Sequence, residues 1–121
     1  MERISEAEHA VMEVLWDESP LTAAEVATRV PAERKWSDRT VKTLLARLLA
    51  KGALAHDEDG RRYLYRPAVA KDDYAAQESS RLIDRLFGGR VTPLVAHLAQ
   101  RDRLSERDIA EIEALLKALK P

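Results

Sequence analysis

Residues 36–52, WSDRTVKTLLARLLAKG, interleave leucines with cations and hydroxyl side chains. The apolar residues of this stretch recur at the spacing of one helix face, which predicts a buried stripe. That stripe consists of Val41, Leu44, Leu45, Leu48 and Leu49. The opposite side carries cations and hydroxyl groups, namely Arg39, Thr40, Lys42, Thr43 and Arg47. We therefore expect a helix over 38–51. Its apolar side packs against its own domain, and its polar side faces either solvent or an anion.

The formal net charge of −1 over 121 residues hides two oppositely charged segments. Residues 1–28 hold one basic and seven acidic residues, a net charge of −6, whereas residues 29–51 hold seven basic and two acidic residues, a net charge of +5. A basic segment in a neutral chain is typical of a contact with a polyanion, and a solvated helix face also carries such charges. Charge by itself leaves both interpretations open.

Composition excludes several classes of function. The sequence has no cysteine, which rules out disulfides, thiolate zinc sites and cysteine nucleophiles. The three histidines lie far apart in sequence, and neither a nucleophile beside a base nor a glycine-rich phosphate loop is present. We therefore expect no enzyme activity, no metal and no cofactor.

No apolar run approaches the ~20 residues that span a bilayer, and the N-terminal residues lack the apolar core of a signal peptide, so we expect a cytoplasmic protein without membrane contact.

Local signals predict two helices before the opening stretch and a hairpin after it. Ser5 and Thr22 are each followed three residues later by a glutamate, the spacing of a capping box, and predict helices over 6–17 and 23–30. The dipeptide Asp59-Gly60 is a strong hairpin turn signal, because both residue types tolerate a positive φ. Two arginines lie at or just after the expected tip, Arg61 and Arg62.

The residues after Pro67 predict three more helices, over 71–87, 92–101 and 106–119. Residues 71–121 number 51, too few for an independent core of ordinary stability. They nevertheless carry a large apolar surface, for which a two-fold partner is the commonest solution. The candidate dimerisation residues are Leu82, Leu86, Phe87, Leu98, Ile112, Leu115, Leu116 and Leu119.

Three helices followed by a two-stranded ribbon, with a basic third helix, are the arrangement of a winged helix-turn-helix domain. The major groove of B-DNA admits one α-helix. Such a helix must be apolar on the side that docks on its own domain and polar on the side that meets phosphates and base edges. We therefore predict a mainly α chain, with a DNA-binding winged-helix domain over 1–70 (three helices plus a two-stranded β-wing) and an α-helical dimerisation domain over 71–121. The predicted DNA contacts are Arg39, Thr40, Lys42, Thr43, Arg47, Arg61 and Arg62. For Thr40, a hydrogen bond to its own helix backbone is an equal alternative.

Several segments carry a resemblance to a known family, and the most specific is the block WS..TVKTLL.RL..KG within residues 36–52. The others are ISEAEHAVMEVLW (4–16), LTAAEVATRV (21–30), GRRYLYRP (60–67), RLFGG (85–89) and LSERDIAEIEALL (104–116). Over nearly its whole length the sequence resembles the penicillinase-repressor family of winged-helix regulators, the BlaI, MecI and CopY type. The resemblance implies a homodimeric transcriptional repressor, with helix 38–51 in the major groove of a palindromic operator of a β-lactam-resistance-type operon.

The resemblance also implies partners and shows two departures. The implied partners are double-stranded operator DNA, a second copy of the chain, and a membrane sensor–protease system that relieves repression by cleaving the dimerisation region. The family's usual Asn-Phe scissile pair falls on His97-Leu98, so the match is lost at that bond. The copper-responsive branch uses a C-terminal cysteine cluster, and the absence of cysteine excludes copper sensing by that route.

A winged helix used as a protein-interaction module is the alternative from a different class, because a fold does not determine a function. In that case the basic face would be solvated or docked on an acidic partner. Sequence-selective binding to DNA distinguishes the two hypotheses.

Overall fold

The computed structural model describes residues 2–120. The helices are α1 (Glu6–Asp17), α2 (Ala23–Arg29), α3 (Asp38–Ala50), α4 (Lys71–Phe87), α5 (Thr92–Gln100) and α6 (Glu106–Leu119). The strands are β1 (Leu54–Asp59) and β2 (Arg62–Pro67), and a 3₁₀ turn at Ala32–Arg34 joins α2 to α3. Each helix predicted from the sequence is present with bounds that agree to within one residue, and the predicted mainly α fold with a two-stranded wing is confirmed.

Reciprocal capping explains why three helices begin where they do. In each, the hydroxyl of the N-cap accepts a hydrogen bond from the amide three residues on, whose carboxylate accepts one from the N-cap amide in return. The pairs are Ser5 with Glu8, Thr22 with Glu25, and Ser105 with Asp108. Each box satisfies two amides that would otherwise lack a partner.

The hairpin is one residue displaced from its sequence signal. Asp59 pairs with Arg62 across the antiparallel ladder, so the two turn residues are Gly60 and Arg61 rather than Asp59 and Gly60. Gly60 takes a φ of +66°, which glycine adopts without steric cost. Positive φ at the first turn residue suits the right-handed twist of a two-residue hairpin. Arg61 therefore lies at the tip of the wing, and Arg62 begins the returning strand.

The core of the first half of the chain is formed by α1, α2, α3 and the wing. Its buried apolar residues are Ile4, Val11, Met12, Leu15, Leu21, Val26, Val41, Leu44, Leu45, Leu48, Ala53, Leu54, Tyr65 and Tyr74. Leu21 also exchanges two backbone hydrogen bonds with Tyr65, at 3.1 and 2.7 Å, and so ties the start of α2 to the free edge of β2. These contacts hold α3 against the body of the domain by its apolar side.

The chain divides into two compact units between Tyr74 and Ala75. The first turn of α4 belongs to the first unit, because Lys71 pairs with Glu13 at 2.9 Å and Tyr74 is buried in the first core. The second unit comprises the rest of α4, α5 and α6. None of its described residues is fully buried, which contrasts with the first unit.

Apolar side chains of the second unit remain exposed to solvent. Leu115 is 66% exposed, Leu116 53% and Leu119 80%, and all three lie on α6. Leu86 of α4 is 54% exposed. Burying one such side chain stabilises a protein by about 1.5–3 kcal/mol, so the unit leaves a large apolar contribution unused.

Between residues 2 and 120, no helix combines the length and the apolar character needed to cross a bilayer.

Candidate nucleic-acid interface

Helix α3 is held rigidly at both ends. At its start, the Ser37 hydroxyl accepts a hydrogen bond from the Thr40 amide at 3.1 Å. At its end, Gly52 takes a φ of +78°, and its amide and that of Ala53 return to the carbonyls of Leu49 and Leu48 at 3.1 and 3.0 Å. This is a Schellman motif, with Gly52 in the left-handed conformation that ends the helix. The helix therefore presents its outer face in a fixed orientation.

The outer face of α3 carries three cations without an internal partner. Val41, Leu45 and Leu48 are fully buried on the opposite side, as predicted. Within residues 2–120, no carboxylate forms an ion pair with Arg39, Lys42 or Arg47. All three residues are exposed. They form a concentration of positive charge that the fold itself does not neutralise.

Most of the other basic residues of segment 29–51 form ion pairs inside the domain. Three of them pair with acidic residues of segment 1–28, so the two oppositely charged segments partly neutralise each other. The pairs are Arg29 with Glu18, Arg34 with Glu6, and Lys51 with Glu8. The segment is therefore less available to a partner than its net charge indicates.

Hydrogen bonds and burial set the pKa values of the acidic partners. The hydrogen bond from Arg34 holds the pKa of Glu6 below its ordinary value. For Glu8, desolvation acts to raise the pKa, but hydrogen bonds from Lys51 and Ser5 outweigh it and the net shift is downward. Both carboxylates are therefore ionised at neutral pH, and they retain their cations there.

The structure brings four of the five predicted α3 contacts together. Arg39, Thr40, Thr43 and Arg47 line a shallow concavity of about 310 Å³, with Leu44 also in its wall. Lys42 lies beside this concavity rather than in its lining. The Thr40 side-chain oxygen lies 3.1 Å from that of Ser37, so Thr40 contacts the N-cap rather than a backbone carbonyl of the helix. The residue that does bond its own helix backbone is Thr43, whose hydroxyl donates to the Arg39 carbonyl at 3.0 Å.

The wing is electrically balanced, which the sequence reasoning missed. Arg62 pairs with Asp59 at 2.7 Å, and Arg66 pairs with Asp57 at 3.2 Å. Arg61, at the tip, has no ion pair among the described residues. Of the two wing arginines predicted to contact DNA, only Arg61 therefore lacks a carboxylate partner among the described residues. The acidic run Asp-Glu-Asp at 57–59 was the signal that could have indicated this, because it ends the strand that pairs with β2 and places Asp59 directly opposite Arg62.

A cation missed by the sequence reasoning precedes α3. Lys35 takes a φ of +52°, in the left-handed region that a non-glycine residue seldom occupies. It is exposed and has no ion pair within residues 2–120. Helical spacing did not indicate Lys35 as a candidate DNA contact, because Lys35 lies before the first residue of α3.

A larger cavity of about 780 Å³ in the first unit is a weaker candidate for a site. The charged groups around it are largely neutralised by one another, as in the pairs of Glu6 with Arg34 and Glu13 with Lys71. No described residues form a cluster of three or more His, Asp or Glu side chains that could hold a metal ion.

The pair that aligns with the family's scissile bond, although its residues do not match, lies inside a helix. His97 and Leu98 belong to α5, and the centroid of the His97 ring lies 5.7 Å from that of the Phe87 ring, with the two rings tilted by 35°. Cleavage between them therefore requires local opening of α5, because a protease cleft accepts an extended chain.

The fold and the outer face of α3 define a winged helix-turn-helix protein. The family model described as penicillinase repressor matches residues 4–118. The chain belongs to the penicillinase repressor family, as its sequence indicated. Members of this family are repressors and not enzymes, which confirms the expectation that the chain is not an enzyme.

Individual relatives agree with this assignment. The penicillinase repressor of Bacillus licheniformis is 34% identical over 115 residues, covering 95% of this chain and 90% of that protein. The methicillin resistance regulatory protein MecI of Mammaliicoccus sciuri is 28% identical over 113 residues, covering 93% of this chain and 92% of that protein. A solved structure of Bacillus licheniformis BlaI, a monomeric form in complex with the blaP half-operator, is 40% identical with a TM-score of 0.52. That match covers 60% of this chain and 89% of the BlaI chain.

Proposed function

We propose that this protein is a transcriptional repressor that binds operator DNA through the outer face of α3. The observation that carries the proposal is the contrast between paired and unpaired cations. Arg29, Arg34 and Lys51 pair with internal carboxylates, whereas Arg39, Lys42 and Arg47 pair with none in the part of the chain that the structure describes. Phosphates of the DNA backbone are the partners that such unneutralised cations fit. The BlaI relative solved in complex with its half-operator supports the same use of the fold.

The proposed repressor works as a homodimer. The second unit leaves Leu86, Leu115, Leu116 and Leu119 more than half exposed, and a second copy would cover them. A two-fold axis would pair two copies of α3 on half-sites about one turn of DNA apart, ~34 Å. The first 70 residues would then serve DNA binding, and residues 71–121 dimerisation. Since a monomer makes half of the contacts, occupancy of the operator should follow dimer concentration.

Within the DNA-binding part, the α3 residues and the wing would have different roles. Arg39, Thr40, Thr43 and Arg47 would meet base edges and nearby phosphates in the major groove, with Lys42 on the flank. Arg61 would reach the backbone from the wing tip, with a smaller contribution from Arg62 because Asp59 neutralises it.

Relief of repression would depend on the dimer. By family membership the regulated genes would be of the β-lactam-resistance type, and a membrane sensor–protease would cut the dimerisation region of the repressor. Cleavage at His97-Leu98 would need α5 to open first. The repressor would act in the cytoplasm, where its operator is.

A gel-shift experiment tests the proposed function. The full chain is titrated into labelled DNA from upstream of its own gene, and a shuffled duplex of equal composition is the competitor. Retardation that the shuffled duplex does not compete away is the expected result. Equal competition by both duplexes, together with tight binding to an acidic protein, would instead support the protein-interaction module.

A further inference from the structure

Thr43 occupies the centre of the outer face of α3 with its hydroxyl group already engaged. Its Oγ1 donates to the carbonyl oxygen of Arg39, one turn earlier, at 3.0 Å. A threonine hydroxyl has a single proton, so this bond uses the only hydrogen-bond donor of the side chain. Thr43 is exposed, and with Oγ1 bound to the helix backbone its Cγ2 methyl is the part of the side chain left free to contact a partner. Thr43 therefore presents an apolar group outward, although its residue type is polar.

The residues around this methyl would suit an apolar group of the DNA that lies between charged phosphates or polar base edges. Leu44, only 5% exposed, contributes an apolar part of the same concavity. Arg39 and Arg47 lie one turn before and one turn after Thr43 on the helix, and both line the same concavity. The concavity thus combines an apolar centre with positively charged edges.

We propose that Thr43 is a specificity-determining residue that contacts the 5-methyl group of a thymine in the major groove. Thymine is the unmodified DNA base that displays a methyl group there, and a threonine methyl is a suitable apolar contact for it. Arg39 and Arg47 keep the helix on the DNA on either side, and Thr43 discriminates among bases between them. This inference rests on the proposed function, since it requires α3 to lie in the major groove.

The test begins with a duplex chosen by the protein itself. The wild-type full chain selects its preferred duplex from a random library, and each thymine of one half-site is then replaced singly by deoxyuridine. Deoxyuridine keeps the pairing and every hydrogen-bonding group, and it removes the methyl alone. One replacement should weaken binding about fourfold, the loss expected for one buried methyl group.

Two variants of Thr43 separate the methyl from the hydroxyl. Thr43→Ser keeps the hydroxyl and lacks the methyl, so it should bind the thymine duplex about fourfold more weakly and should not respond to the deoxyuridine replacement. Thr43→Val keeps a methyl and lacks the hydroxyl, so it should bind like the wild type and remain sensitive to the replacement. Circular dichroism of both variants verifies that they are folded.

The outcomes that would contradict this inference can be distinguished from one another. If Thr43→Val loses affinity while Thr43→Ser retains it, the hydroxyl is the reading group and the inference is wrong. If no thymine is sensitive, or if Thr43→Ser keeps the sensitivity, the methyl contact is absent or belongs to another residue such as Ala46. If the wild type selects no sequence at all, the proposed function itself fails, and the inference fails with it.

Discussion

The ammonium group of Lys51 lies 2.5 Å from the carboxylate of Glu8, and this contact joins the C-terminal end of α3 to the N-terminal end of α1. The Glu8 side chain is 2% exposed and that of Lys51 is 19% exposed. Lys51 also donates to the backbone carbonyl of Arg3 at 2.9 Å, and Glu8 caps its own helix through Ser5. A nearly buried carboxylate thus takes part both in capping α1 and in orienting α3.

Removal of this cation should destabilise the protein markedly. Lys51→Met leaves the Glu8 carboxylate buried without a counter-charge, and the expected loss in the free energy of unfolding is about 3 kcal/mol at neutral pH. Urea denaturation at a fixed protein concentration measures it. The matched control is Lys42→Met, an exposed and unpaired cation on the same helix, which should change stability by less than about 0.5 kcal/mol. Equal losses in the two variants would show that the Glu8 contact is unimportant.

The same pair predicts a pH dependence of stability. The folded-state pKa of Glu8 lies below the ordinary value of 4.5, so folding favours its ionised form. The resulting stabilisation is fully present above the unfolded-state pKa and disappears as the pH falls through the folded-state pKa. The stability difference between the wild type and Glu8→Gln should therefore be constant between neutral pH and about pH 5.5, and it should shrink below about 4.5. A difference that grows on acidification would contradict this sign.

Arg47 provides a direct test of the unpaired cations. Arg47→Ala should weaken binding to the selected duplex by about 1–3 kcal/mol and relax selectivity at one position if the guanidinium pairs with a base. If it meets phosphate alone, all sequences should weaken alike and the salt slope should fall by about one. Arg29→Ala is the control, because Glu18 already neutralises Arg29, and it should change affinity less. Unchanged binding by folded Arg47→Ala at low and moderate salt would exclude Arg47 from the interface.

The wing arginines should act through the DNA backbone. A double substitution, Arg61→Ala with Arg62→Ala, should lower specific and non-specific affinity together, since backbone phosphates are common to all sequences. Most of the loss should come from Arg61, because Asp59 pairs with Arg62 in the free protein. Fluorescence anisotropy on the selected and shuffled duplexes measures both affinities. Altered base preference with intact non-specific binding would assign the wing to the bases instead.

Assembly can be tested on α6. Leu116→Asp would place a charge in the proposed shared core, and it should give monomers that bind the operator poorly. Ala114→Asp introduces the same side chain away from the apolar stripe and should leave the dimer intact. Sedimentation at micromolar concentration measures the mass of each variant. A wild-type protein that sediments as one species near 13.6 kDa would rule out the homodimer.

Local signals predicted most of the fold, because four helices begin at a side-chain cap and the apolar residues of the helices recur at helical spacing. Ser5 and Thr22 both form the capping boxes that their spacing indicated. The turn was misplaced by one residue, since Gly60 satisfies the positive φ at either register and only the cross-strand pairing of Asp59 with Arg62 decides between them.

The charges of the site were harder to predict than its residues. The outer face of α3 followed directly from its helical period. The pairing of Lys51 with Glu8, 43 positions apart, arises from tertiary packing and has no local signal. For the same reason, the neutralisation of Arg34 by Glu6 could not be anticipated. The engaged hydroxyl of Thr43 required coordinates as well, because its rotamer is not readable from its residue type.

As proposed, a dimer of this chain reads a symmetric DNA sequence with two copies of α3. Selection of duplexes from a random library by the wild-type protein, followed by sequencing, provides the test. Enrichment of an inverted repeat is expected, with half-sites about one helical turn apart, ~10 base pairs from centre to centre. A library that shows no enriched sequence, or an enriched sequence without two-fold symmetry, would contradict it.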